Sequence, residues 1–236
     1  LLFFFISVAF VNGALLSDNL PVMLVFWEGL LISMSVLLLI GNLQKPRAVI
    51  KMLWISGIAD LMLMLGVIIT IHVSGQSNIS AITRLPVEGV GAAACVLMLL
   101  GALAKAGAVP FHSWIPLAAE DAQSPFLALF PASLEKILGI GLAIRIVTQI
   151  YDVQPGSPVS TFVMIVGAVT LFIGVAMALI QKDMKKLLSY HAISQVGYMI
   201  LGVGSALPIG IVGALFHMIN HVLYKSGLFL TAGALE

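Results

Sequence analysis

The 236-residue chain is 61% hydrophobic and 9% charged, with 11 Lys and Arg against 10 Asp and Glu for a net charge of +1. An average soluble domain is about 25% charged, so these few charges cannot cover a water-facing surface. The balance also leaves no basic face for nucleic acid. Cys95, the single cysteine, excludes a disulfide framework and a cysteine metal site.

Apolar runs near 20 residues recur along the chain, each long enough to cross ~30 Å of hydrocarbon. The alternating strands of a membrane β-barrel are absent. The sequence therefore predicts an all-α polytopic membrane protein. Punctuation and hydropathy place eight spans at about 1–16, 20–41, 48–72, 88–109, 125–150, 158–180, 186–204 and 209–233. "SDN" and "GNLQKPR" separate the first three, and "HVSGQSNISAITRLPVEG" precedes the fourth. "PFHSWIPLAAEDAQSP", "YDVQPGSP" and "QKDMKK" follow spans four, five and six. Loops after spans two, four and six hold Lys45, Arg47, Lys51, Lys182, Lys185 and Lys186, while the opposite face holds only Arg84. The positive-inside rule then puts both chain ends near the cytoplasmic face. The start "LLFFFISVAF" lacks Met and a basic flank, so it does not read as a signal peptide. Both ends read as cuts within a longer subunit.

Several ionisable residues fall inside spans: Glu28, Asp60, Lys105, Glu135, Lys136, His217, His221 and Lys225. Such residues are costly in a bilayer, face the bundle interior or a wet cavity, and mark ion paths. A buried structural ion pair is the plain alternative for any one of them, and Glu28 with Lys105 has matching signs. Glu135 and Lys136 are neighbours and point ~100° apart on a helix, so one is expected to snorkel or pair locally. His72 and Arg145, near span ends, read as interfacial anchors. His217, His221 and Lys225 are spaced i, i+4, i+8 and share one face. Two histidines four apart can hold zinc, but the protease motif requires Glu where Met218 stands. Transverse haem ligation requires a second central His, and His191 lies too near the start of its span. A proton relay suits imidazole better, since it changes charge near neutral pH.

Lys105 in "GALAKAGAVPFHSWIP" precedes Pro110, which has no backbone N–H and interrupts a helix. Broken helices at membrane depth line cavities and ion sites. A lysine there can be hydrated. Loss of water disfavours its charged form and an approaching carboxylate favours it, so Lys105 can take and release a proton as a partner such as Glu28 moves.

Five stretches, "FWEGLLISMSVLLL", "GALAKAGAVPFHSWIP", "KILGIGLAIRI", "DMKKLLSYHAISQVGYMILG" and "HMINHVLYKSGLFLTAGAL", occur in this order. Together they resemble the antiporter-like proton-translocating subunits of respiratory complex I (the L, M and N type, nearest the M type). Membrane-bound hydrogenases and multisubunit sodium/proton antiporters have subunits of the same family. The resemblance implies a fourteen-helix antiporter-like fold with two inverted five-helix repeats and a discontinuous helix around Lys105–Pro110. Residues 1–150 would be the first repeat (family helices four to eight), and 158–236 the truncated start of the second (helices nine to eleven). Glu28 would be the helix-five glutamate, Lys105 the lysine of the broken helix, and Lys136 the helix-eight lysine. His217, His221 and Lys225 would lie on the helix-eleven polar axis, with Asp60 a weaker match. Glu135 is outside the family pattern, and "PLAAEDAQSP" is more acidic than usual there; the Glu135 variant leans toward the hydrogenase-like branch. The ionisable residue of helix twelve would lie past residue 236.

The expected function is a proton-translocating membrane subunit of a redox-driven pump, with no catalysis, cofactor or metal of its own. Protons would enter from the cytoplasmic side, reach Lys105 under the control of Glu28, and pass through Lys136 to His217, His221 and Lys225. Other membrane subunits and the lipid bilayer are the expected partners, in an energy-transducing membrane such as the bacterial or archaeal cytoplasmic membrane. The rival readings are a sodium/proton antiporter subunit, a haem- or metal-bearing membrane enzyme, and a passive scaffold.

Overall fold

The computed structural model describes residues 1–41 and 46–235. Lys45, counted among the cytoplasmic-side cations, lies outside the described residues. The described regular elements are helical, with two isolated bridges joining Asn19 to Asn78 and Leu85 to Tyr151. The helices are α1 (Leu2–Leu16), α2 (Leu20–Gly41), α3 (Arg47–Ser74), α4 (Gly89–Ala106), α5 (Trp114–Asp121), α6 (Ser124–Leu129), α7 (Glu135–Arg145), α8 (Pro158–Leu179), α9 (Met184–Gly204) and α10 (Pro208–Ala234). A π-helical turn over Phe130–Leu134 joins α6 to α7, and a second over Ile146–Ile150 extends it.

The eight expected spans are all helical, with ends shifted by a few residues. Five of them are long and apolar enough to cross a membrane: Leu20–Ile40, Arg47–Ser74, Gly89–Glu120, Ser124–Ile150 and Pro158–Leu179. The other three differ for visible reasons. Helix α1 is apolar but has only 15 residues. Lys185, Lys186 and His191 dilute α9, and His217, Asn220, His221 and Lys225 dilute α10. One expected connection is largely helical. Most of "PFHSWIPLAAEDAQSP" is the tight turn Phe111–Ser113 and helix α5, so span four resumes after its break.

Local chemistry sets the helix ends. Ser157 caps α8 by accepting from the Ser160 amide, with Pro158 in the first turn, and Asp183 caps α9 by accepting from the Lys186 amide. Arg145 does more than anchor at an interface. Its guanidinium donates to the Ser17 carbonyl at 2.8 Å and the Leu15 carbonyl at 3.3 Å, satisfying acceptors at the end of α1. On the same side, Asp18 accepts from the Ser80 amide at 2.9 Å and the Ser80 hydroxyl at 2.6 Å. Those bonds hold its carboxyl below the usual carboxylate range.

The span Ser124–Ile150 is the central one: 78% of its apolar window is buried, against 22% for α8. Within it, α7 packs on α1, α4, α9 and α10. The outer faces of α2, α3, α8 and α10 carry exposed Val25, Ile32, Trp54, Leu61, Phe172 and Phe216. That much outward apolar surface suits lipid or a neighbouring membrane helix. Between helices in lipid, close packing replaces the hydrophobic drive and small residues permit it. Gly139 of α7 is such a point: a Cβ there would lie 2.6 Å from both the Ala102 carbonyl oxygen and the Ala106 nitrogen of α4.

Gly139→Leu should force α4 and α7 apart and destabilise the full-length protein by about 1–3 kcal/mol. Thermal melting in mild detergent checks this, with Gly57→Ala as the control, because nothing lies within 4 Å of the added Cβ at Gly57.

Candidate functional site

Lys105 is 3% exposed near the end of α4, and its Nζ donates to Asp60 Oδ2 of α3 at 3.3 Å. The other carboxylate oxygen, Oδ1, accepts from Trp27 Nε1 at 2.6 Å, and the Lys105 ammonium lies 5.1 Å from the centre of the Trp27 ring. Asp60 therefore takes the direct place expected of Glu28. The helix period explains the exchange. Trp27 and Glu28 are adjacent on α2 and point ~100° apart, so turning the indole toward Lys105 turns the glutamate away. Glu28 is half-buried beside Asp60 in an outer groove of about 420 Å³ that also touches Trp54, Gly57 and Met64. Its Oε1 has no hydrogen-bond partner among the described residues. Asp60 and Lys105 remain within its electrostatic reach.

The next group stands at the helix break. In an unbroken helix the amide of residue 110 would donate to the carbonyl of residue 106. Pro110 has no N–H, so the Ala106 carbonyl is orphaned in the protein interior. Lys136 supplies the missing donor: its Nζ reaches the Ala106 oxygen at 2.6 Å. Gly107 makes room for it. Its backbone is left-handed at φ 85°, and a Cβ there would lie 3.0 Å from Lys136 Nζ. The Val109 amide, also freed by the break, donates to Thr170 Oγ1 of α8 at 3.1 Å.

Of the two outcomes expected for the adjacent charges Glu135 and Lys136, snorkelling does not occur, while Lys136 is paired within the protein. They are 1% and 0% exposed. Their side chains diverge as the helix period requires, but α7 is central and protein covers both directions. Glu135 lies within electrostatic reach of Lys136, Lys105 and Asp60.

On α10 the stripe Ala214, Met218, His221, Lys225, Phe229 and Ala232 is the buried face. His221 is fully buried, and neither ring nitrogen has a partner among the described residues. Lys136, Lys225, His217 and His191 all act on it electrostatically. The His217 and His221 ring centres are 6.4 Å apart, and Tyr198 and Tyr224 set their edges against these two rings. His217 lies farther out, lining an open groove of about 600 Å³ with Gln195, Tyr198 and Gly213. Lys225 Nζ lies 2.8 Å from His191 Nδ1.

Two members of this array escaped sequence reasoning. Trp27 is conspicuous beside Glu28 in "FWEG", but a tryptophan in a membrane span reads as apolar filling. His191 reads in the sequence as lying near a span start. It sits two turns into α9, facing α10, where its ring meets Lys225.

Asp60→Asn would leave the Lys105 ammonium buried without its counter-ion, a loss of about 3–5 kcal/mol when one partner of a buried pair is removed. In the full-length protein it should lower the melting temperature more than Glu28→Gln does. The opposite order would return the direct role to Glu28.

A family model described as NADH:quinone oxidoreductase/Mrp antiporter, TM, matches residues 17–236. A Na(+)/H(+) antiporter subunit of Alkalihalophilus pseudofirmus is 34% identical over 239 residues, covering 99% of this chain and 48% of its own length. The NAD(P)H-quinone oxidoreductase subunit 5 of Paulinella chromatophora is 32% identical over 236 residues, covering 93% of this chain and 34% of its own. In the solved Mrp complex from Dietzia sp., one chain superposes with a TM-score of 0.87 at 28% identity, covering 98% of this chain and 44% of that one. The chain thus spans half or less of the length of these relatives. It belongs to the NADH:quinone oxidoreductase/Mrp antiporter transmembrane family.

Proposed function

We propose that this chain is the proton-conducting portion of a membrane subunit in a redox-driven pump, of the NADH:quinone oxidoreductase or energy-converting hydrogenase type. The observation that carries the reading is the succession of buried ionisable groups through the bundle: Asp60 with Lys105, then Lys136, then His221, then Lys225 with the half-buried His191. A protein does not bury this many charges on adjoining helices for packing alone, because each costs several kcal/mol to desolvate.

Lys105 holds a proton while Asp60 faces it and releases the proton when that contact lengthens, since a nearby anion favours the ammonium form. Glu28, at the edge of the pair, modulates it from the outer groove. Lys136 receives the proton and keeps an N–H for the Ala106 carbonyl in either charge state, so the break stays satisfied. His221 lies next, with His217, Lys225 and His191 around it. Residues 1–150 would form one repeat and 158–236 the start of its inverted partner. The proposal assigns no catalysis and no cofactor to this chain. Energy would come from other membrane subunits of a multisubunit complex in an energy-transducing membrane, a bacterial or archaeal cytoplasmic one on this reading.

A second reading, a sodium/proton antiporter subunit, is favoured by the relative of that name and by the fold of the Mrp complex. The two readings differ in driving force. Proton uptake by membrane vesicles driven by an electron donor supports the first, and uptake driven only by a sodium gradient supports the second.

Lys105→Ala, in the full-length protein within its native assembly, should abolish most proton translocation with the complex intact. Lys105→Arg should fail as well, because a guanidinium stays protonated and cannot relay. Normal pumping by both variants would overturn the relay.

A further inference from the structure

One buried charge has no task in this relay. Glu135 is 1% exposed, and its Oε2 has no hydrogen-bond partner among the described residues. A carboxylate kept for structure is paired or accepts several donors, because an unsatisfied buried charge is expensive. The adjacent ammonium is not that partner: Lys136 Nζ is directed to the Ala106 carbonyl.

Two features place Glu135 beside the break. The π-helical turn Phe130–Leu134 ends immediately before it, and such a turn inserts a residue and re-aims the side chains that follow. The contacts of α7 with α4 also fix the register. Gly139 meets Ala102 and Ala106, whereas Lys136 meets Ala106 and Gly107, so the helices run antiparallel and Glu135 lies level with the interruption. Around it, α4 brings Lys105, α3 brings Asp60 and its own helix brings Lys136. Farther along, α10 carries His221 and Lys225 and α9 carries His191, while α1, also packed on α7, has no titratable side chain.

We propose that Glu135 is a further proton-carrying residue, standing between the Lys105–Asp60 pair and Lys136. This rests on the proton-translocating reading above. An N–H bond of the Lys105 ammonium breaks, and the proton forms the O–H of the Glu135 carboxyl. That O–H then breaks as the proton joins the lone pair of neutral Lys136, leaving Glu135 a carboxylate and Lys136 an ammonium. The carboxyl divides the lysine-to-lysine transfer into two steps, the second taken as the Lys136 side chain swings from the Ala106 carbonyl toward it.

The test uses the full-length protein in its native assembly, comparing Glu135→Gln, Glu135→Asp and Lys105→Ala. Glu135→Gln keeps size and hydrogen-bonding capacity but cannot carry a proton, and should lower translocation by about 10²-fold. Glu135→Asp should restore much of it. An infrared difference spectrum between resting and turning-over parent protein should show a carboxyl C=O band that Glu135→Gln removes. If Glu135→Gln translocates normally while Lys105→Ala does not, Glu135 is no carrier and the relay reading stands. If neither variant is impaired, the relay reading fails and this proposal with it. Should Glu135→Gln not assemble, Glu135→Asp and the parent decide. An active Glu135→Asp with a carboxyl band shifted from the parent's supports the proposal, and identical bands in the two overturn it.

Discussion

The structure turns on one unsatisfied carbonyl. Gly107 closes α4 in a left-handed turn, Pro110 brings no amide to the Ala106 carbonyl, and that oxygen lies deep in the protein. A buried acceptor without a donor costs about 1–3 kcal/mol, and Lys136 removes that cost with a 2.6 Å bond. This one interaction ties two spans together and fixes the register of α7. It also explains how a lysine is kept in the interior. Gly107 and Gly139 follow from it, because both lack the side chain that would hold the two helices apart.

Around that point the charges are arranged by helix geometry rather than by simple pairing. Trp27 and Asp60 contact Lys105 just before the break, and Lys136 bonds the Ala106 carbonyl at the break itself. Glu28 is displaced outward because its neighbour Trp27 occupies the inward direction. The same rule sends Glu135 and Lys136 in different directions from one central helix, with protein on both sides. In the relay proposed for this chain, such a set would hold protons at several places. A contact of 3.3 Å between Lys105 and Asp60 is already longer than a tight charge-assisted bond of about 2.7–2.9 Å.

Much of this was readable in the sequence. Hydropathy and punctuation located all eight helices, five of which are long and apolar enough to cross a membrane. The broken helix was readable from Pro110 and Lys105, and the α10 stripe from the spacing of His217, His221 and Lys225. Partner identity was not. Which of Glu28 and Asp60 meets Lys105 depends on helix rotation, which hydropathy does not encode when most faces are apolar. The fate of Glu135 and Lys136 depended on α7 being enclosed, a property of assembly rather than of its own residues. His191 and Trp27 escaped for a related reason, since each takes its meaning from a residue on another helix.

The central claim is that Lys136 both closes the break and carries protons across it. Lys136→Met keeps the length and bulk of the side chain and removes the ammonium. The direct measurement is proton translocation by native-assembly membrane vesicles, followed with a pH-sensitive dye, alongside melting of the purified complex. The account predicts an assembled complex of lower stability whose translocation is largely lost. Full translocation with Met at position 136 would contradict it.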